Sequence, residues 1–234
     1  MSHIEKNIKD VQNGIAFSAA RCGRDVASIK LIAVTKTYGA DDINTAIDAG
    51  ITDIGENRVQ EILEKFDKVK PVRWHLIGHL QKNKVKYIID KVEMIHSVDS
   101  FALAEEINKQ AEKHGKVQKI LVQVNVSGEE SKFGIEPGEC EDLCRKISEL
   151  KNVQINGLMT IAPFTEDKKL LGKVFGKLKQ ISLDISAKNM DTVIMDELSM
   201  GMTNDYPEAI ENGATMIRVG TAIFGKRDYS KTQG

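Results

Sequence analysis

The sequence predicts a closed α/β barrel of eight parallel strands ringed by helices, a single (β/α)8 TIM barrel. Three observations predict it. Strand-sized apolar runs alternate with helix-like segments along the chain, which implies parallel strands joined by right-handed crossovers. The alternation gives eight units, of roughly 20 to 40 residues each, within 234 residues. No repeat, low-complexity segment or interdomain linker interrupts them. An open doubly wound sheet is the alternative. It would want a glycine-rich dinucleotide loop after the first strand, and Lys36-Thr37-Tyr38-Gly39 is not one.

The elements follow in order. Ile4, Ile8, Val11, Ile15 and Ala19 recur at helical spacing, so 3–22 reads as an additional N-terminal amphipathic helix, linked to the barrel by residues up to 28. Leu31-Ile32-Ala33-Val34-Thr35 is an apolar run with a turn after it, a strand buried on both faces. Asp41 is the expected N-cap of a helix through Ala49, ended by Gly50. Asp53 to Glu56 is the second strand, with a helix over 57–68. The third strand spans 72–77, with a helix over 80–90. The fourth spans 92–97, and Asp99 or Ser100 caps a helix to about His114. Lys119 to Val126 is the fifth strand, then a loop with Gly128, Gly134 and Pro137 leads into a helix over 138–150. The sixth strand, 153–159, precedes a helix over 167–188. The seventh, 192–197, precedes a helix from Asp205 to Asn212, and 214–219 is the eighth strand. A polar tail, 226–234, completes one domain over 1–234.

Composition excludes several classes. Net charge is -1, so electrostatics give no case for nucleic acid or an anionic membrane. Aromatics are only 5%, too few for a base-stacking surface. The longest apolar runs are strand-sized, which speaks against a transmembrane span, and the polar N-terminus is unlike a signal peptide. Cys22, Cys140 and Cys144 do not make an even disulfide set, and Cys140 and Cys144 read as packed thiols rather than metal ligands. The expected location is cytoplasmic.

In such barrels the chemistry sits where strands end. Lys36 follows the first strand. A lysine held there in a partly apolar site loses some of its charged form and becomes nucleophilic. The local sequence alone equally describes a lysine snorkelling to solvent. Glu56-Asn57-Arg58, His75, Gly78-His79, Ser97, Asp99, Asn125 and Met159-Thr160 gather at the same rim. The loops after strands seven and eight form the recurring phosphate site of the fold. Here they read Ser199-Met200-Gly201 and Arg218-Val219-Gly220-Thr221, glycines for backbone approach and hydroxyls as donors. A phosphate wall facing a lysine suggests a phosphorylated aldehyde, and pyridoxal 5′-phosphate (PLP) satisfies both requirements.

These motifs resemble a known family. Ala33-Val34-Thr35-Lys36, Gly55-Glu56-Asn57-Arg58, Trp74-His75-Leu76-Ile77-Gly78-His79, Glu197-Leu198-Ser199-Met200-Gly201-Met202 and Arg218-Val219-Gly220-Thr221-Ala222-Ile223-Phe224-Gly225 are similar to those of the YggS-like, PLP-homeostasis family. The family shares the alanine racemase N-terminal barrel of fold-type III PLP proteins. The resemblance implies that Lys36 forms a Schiff base with PLP, that Ser199, Gly220 and Thr221 hold its phosphate, and that Gly201 belongs to the same cofactor site. It places Arg218 near that phosphate or at the pyridine nitrogen, which it would keep unprotonated. Asn57, His79 and Met159 would line the pocket. His75 is read as a core histidine, Lys82 and Lys84 as a solvated face, and Lys132 as a surface lysine.

The implied function is a PLP-binding carrier or regulator in intracellular vitamin B6 homeostasis, without catalytic turnover of its own. Nothing after the eighth strand could form the C-terminal β domain with which the racemases dimerise, so a monomer is expected. Apo PLP-dependent enzymes are the expected partners. The competing readings are a PLP-dependent amino-acid racemase and a barrel for another sugar or nucleotide phosphate.

Overall fold

The computed structural model describes residues 2–129 and 131–225; the expected tail, 226–234, lies outside them. It is a closed barrel of parallel strands in sequence order, β1 to β8, with β8 pairing back onto β1. The strands are β1 (Lys30–Val34), β2 (Asp53–Glu56), β3 (Arg73–Leu76), β4 (Met94–Val98), β5 (Gln118–Gln123), β6 (Val153–Met159), β7 (Val193–Ser199) and β8 (Met216–Val219). The helices are α1 (His3–Arg21), α2 (Ala40–Asp48), α3 (Val59–Lys65), α4 (Phe101–Lys113), α5 (Cys140–Ser148), α6 (Lys168–Ser186), α7 (Tyr206–Glu211) and α8 (Thr221–Phe224).

Helix α1 starts in a capping box. The Ser2 side chain accepts from Glu5 N–H, and the Glu5 carboxylate accepts from Ser2 N–H. Its apolar stripe, Ile4 to Ala19, is buried. Asn7 donates to the Ile223 carbonyl at 2.9 Å, tying α1 to α8. Arg24 donates to the Ala214 carbonyl at 2.7 Å, just before β8. The N-terminal helix thus braces the sector that carries Arg218 to Thr221.

Three expectations differ. Gly39, not Asp41, occupies the N-cap of α2, in extended backbone and with no side-chain cap. Asp41 and Asp42 lie in the first turn, where a carboxylate offsets the helix dipole. The expected helix over 80–90 is a 3-10 stretch, Lys82–Tyr87. That segment buries only Val85, too little apolar surface to hold an α-helix between Lys82, Lys84 and Lys86. Strand β7 also runs to Ser199, because Ser199 pairs with Met159 and Met216. Ser199 therefore belongs to the barrel wall and not to the loop after it.

Apolar residues fill the layer between barrel and helices. A second, small cluster, Ile32, Met94, Leu121, Met159 and Met216, fills the inside of the barrel. Side chains alternate along a strand, so Arg218 shares the inward face with Met216, and His96 shares it with Met94. The barrel interior is therefore partly polar, where side-chain layers of this fold are mostly aliphatic. Among the described residues, no helix is long and apolar enough to cross a membrane.

Candidate cofactor site

A cavity of about 210 Å³ opens at the C-terminal end of the strands. Lys36, two residues beyond β1, faces it together with Arg218, Gly220 and Thr221 from β8 and its loop. Thr203, Asn204 and Asp205 enter from the loop after β7, and Ala162, Pro163 and Phe164 from the loop after β6. Phe164 stands at the mouth, 93% exposed.

The backbone around Lys36 is clamped from below. Lys65 Nζ donates to the Thr35 carbonyl at 3.0 Å, to Glu56 Oε1 at 2.7 Å and to Glu61 Oε2 at 2.8 Å. Thr37 N–H donates to Glu61 Oε2 at 2.7 Å, and Thr37 sits at φ 73, a conformation a β-branched residue adopts only when held. Tyr38 stacks on Phe224 at 4.6 Å between ring centroids, and its hydroxyl donates to the Gly225 carbonyl. The lysine loop and the β8 loop are thereby fixed to one another. Burial pushes the Glu56 carboxyl up to about 7 despite Lys65, and its Oε2 has no hydrogen-bond partner.

Arg218 is buried on the cavity floor. Its Nη1 donates to Ser199 Oγ at 2.5 Å and its Nη2 to the Thr160 carbonyl at 2.9 Å. Burial lowers it to about 10, still a cation at neutral pH. Gly220 brings its backbone against Val34; a Cβ there would meet Val34 Cβ at 3.2 Å. Gly201 has φ 91, and a Cβ there would meet Ala209 at 2.6 Å, so the turn after β7 requires glycine.

Of the residues expected at the site, Lys36, Arg218, Gly220 and Thr221 come together around the cavity. Ser199 and Gly201 lie behind the wall, Ser199 under Arg218 and Gly201 in the supporting turn. Met159 is inside the barrel, with the small interior cluster. Asn57 packs its backbone against Gly78, away from the cavity lining. His79 stacks on Phe133 at 4.3 Å, with Nδ1 3.7 Å from Asp99, on the same rim but outside the lining. His75 is a core residue, bonded to Asp53 and His96. Lys132 pairs with Glu129 at 2.6 Å. Sequence reading missed Thr203, Asn204 and the Ala162-Pro163-Phe164 loop. Thr203, two residues after Gly201, carried a legible signal: a hydroxyl beyond a glycine turn.

The donor set suits one kind of ligand. A cation and two threonine hydroxyls suit a phosphate, one amine suits an aldehyde, and Val34, Ala162, Pro163 and Phe164 offer apolar walls to a flat ring.

The chain is similar to known proteins over nearly its whole length. Residues 4–228 match the family model "Alanine racemase, N-terminal domain". A pyridoxal phosphate homeostasis protein of Aquifex aeolicus is 41% identical over 226 residues, covering 96% of this chain and 98% of that protein. A crystal structure of an unknown protein from Bifidobacterium adolescentis superposes with a TM-score of 0.90 at 37% identity, covering 94% of each chain. PipY of Synechococcus elongatus, with PLP bound, superposes with a TM-score of 0.82 at 33% identity, covering 95% of this chain and 100% of its own.

Proposed function

The chain belongs to the alanine racemase N-terminal domain family and, within it, to the pyridoxal phosphate homeostasis proteins, and from that premise we propose that it holds PLP reversibly and takes part in PLP homeostasis. The observation that carries the proposal is the cavity itself, with Lys36 facing Arg218, Gly220 and Thr221.

When bound, PLP supplies an aldehyde that an amine can capture as a Schiff base, and a phosphate that anchors it. Lys36 is the amine. The clamp of Lys65 and Glu61 on Thr35 and Thr37 fixes the backbone on both sides of it, so the amine is presented from one direction. Thr203, Thr221 and the Gly220 backbone hold the phosphate, and Arg218 supplies the positive charge. Val34, Ala162 and Pro163 exclude water from the ring faces.

Delivery to apo-enzymes that need the cofactor is the finer part of the proposal. The exposed position of Phe164 supports it, since that side chain lines the cavity and faces solvent. The test is to add PLP to the purified protein, reduce with borohydride and map the labelled peptide. Label on Lys36 is expected; label elsewhere, or none, overturns the assignment. Transfer to an apo-enzyme, with and without a trap for free PLP, tests delivery.

A further inference from the structure

Five buried side chains, Arg218, Ser199, His96, His75 and Asp53, form one hydrogen-bonded row from the cavity floor to the opposite end of the barrel. Arg218 Nη1 reaches Ser199 Oγ at 2.5 Å, and Ser199 Oγ lies 2.9 Å from His96 Nδ1. His96 Nε2 lies 2.9 Å from His75 Nδ1, and His75 Nε2 lies 2.9 Å from Asp53 Oδ1. We propose that this row is a one-way relay of hydrogen-bond donors that fixes the orientation of Arg218 toward the ligand, with His96 and His75 as positioning residues. The inference rests on the proposed function for the ligand alone; the row stands on geometry.

The proposed proton arrangement is compatible with both ends of the row. Arginine has donors only, so Ser199 Oγ accepts from Arg218, and the relay assigns the single Ser199 proton to His96 Nδ1. An accepting Nδ1 puts the His96 proton on Nε2, which then donates to His75 Nδ1. From the other end, the Asp53 carboxylate accepts from Arg73 at 2.9 and 2.6 Å and from His75 Nε2. With the ring neutral, as the relay requires, His75 Nδ1 is then an acceptor. Every bond of the relay then points from the cation to the carboxylate, the arrangement in which neighbouring bonds polarise one another.

The surroundings favour a neutral His96 ring. Burial, with the cations Arg218 and Lys30 around it, holds His96 well below the ordinary imidazole range. Burial works against ionised Asp53, but hydrogen bonds from His75 and Arg73 keep it well below the usual carboxylate range. Arg218 is then held by Ser199 on one nitrogen and the Thr160 carbonyl on the other. The N–H groups not used there are the ones left for the cavity.

The test needs no variant to begin. Nitrogen NMR of the ligand-free protein with labelled histidine, between about pH 5.5 and 8.5, reads each ring directly. The expected pattern is His75 and His96 both neutral, protonated on Nε2 and bare on Nδ1. A doubly protonated His75, or a His96 proton on Nδ1, overturns the relay. Titration with PLP then reads the consequence. His96→Phe should weaken binding about tenfold, the loss of one hydrogen bond to a charged group passed on through Ser199, and should shift the absorption band of the bound cofactor. His96→Asn, whose amide can still meet Ser199, should restore part of both. Unchanged affinity and band in His96→Phe would show that the row positions nothing. A wild-type protein with the expected ring pattern that takes up no PLP overturns the proposed function and leaves the relay standing.

Discussion

The ammonium of Lys65 donates to the carbonyl of Thr35 at 3.0 Å, one residue before the lysine that faces the cavity. The same ammonium neutralises Glu56, whose side chain is fully buried. Helix α3 therefore holds the segment before Lys36 through a buried ion pair, besides packing Val59 and Ile62 into the core. Removing one partner of a buried pair leaves the other uncompensated. Lys65→Met should cost about 3–5 kcal/mol in urea unfolding. The double variant Lys65→Met with Glu56→Gln should recover much of that loss, since no unpaired charge remains.

Glu56 also makes stability depend on pH. Its carboxyl is pushed up to about 7 in the folded chain, from an ordinary 4.5. Between those values the folded state binds more protons than the unfolded one, so this group's contribution falls as pH rises. It is fully present below about 4.5 and lost above about 7. Glu56→Gln should abolish this component: the stability difference, wild type minus variant, should shrink as pH rises across that window. A difference that stays flat or grows with pH would mean that folding does not raise the Glu56 carboxyl.

Thr203 and Ser199 should separate in a binding assay. Thr203 lines the cavity, whereas Ser199 is buried and committed to Arg218 and His96. A hydrogen bond to a charged group contributes about 1.5–3 kcal/mol, so Thr203→Ala should weaken PLP binding roughly ten- to a hundred-fold. It should leave the affinity for pyridoxal, which has no phosphate, almost unchanged. Ser199→Ala should weaken PLP binding by less and likewise spare pyridoxal, because it touches no ligand and frees Arg218 from only one of its two partners. Equal losses for both ligands in Thr203→Ala would place the phosphate elsewhere.

The contrast between these residues also shows how far sequence carries. The eight-strand barrel was legible because strand-sized apolar runs and helix-spaced stripes alternate without a break. Lys36, Arg218, Gly220 and Thr221 were legible because residues at strand ends of a barrel must share one rim. Ser199 was misplaced by the end of β7: two residues more of pairing turned a loop hydroxyl into a wall hydroxyl. His96 and Asp53 gave no local signal at all. Their partners lie on other strands, and only closure of the barrel brings β2, β3, β4, β7 and β8 onto one interior row. The 3-10 stretch at Lys82–Tyr87 was missed because helical spacing does not report how little of a segment is buried.

Lys36→Ala should remove borohydride-fixed label and leave the fold in place. The clamp on Thr35 and Thr37 uses backbone atoms, so it survives the substitution. Circular dichroism and the urea midpoint should stay near wild type while covalent capture is lost. Residual non-covalent affinity through Thr203, Thr221 and Arg218 should remain measurable by equilibrium dialysis. A variant that still captures the aldehyde would assign that role to another amine.

The last prediction is that amino acids are turned over slowly or not at all. Racemisation requires one group to remove a proton from the bound amino acid and a second, on the opposite face, to return one. Each such group contributes about 10²–10⁴-fold. Lys36 can serve as one. Among the lining residues the other ionisable side chains are Asp205 and Arg218. Asp205 is buried at the start of α7 and accepts from Met202 N–H at 2.5 Å, which commits it to the turn. Arg218 stays protonated at neutral pH and is fixed by Ser199 and Thr160, so it cannot accept a proton. The hydroxyls of Thr165, Thr203 and Thr221 are too weakly acidic to replace a second base without one beside them. A site that grips the cofactor at both ends while offering one base suits holding and release better than turnover. The assay is α-proton exchange in heavy water across the common amino acids at saturating PLP. Exchange slower than about 1 s⁻¹, the low end of typical enzyme rates, is expected. Faster exchange that Lys36→Ala abolishes would make the chain a racemase, with Asp205→Asn the variant that identifies its second base.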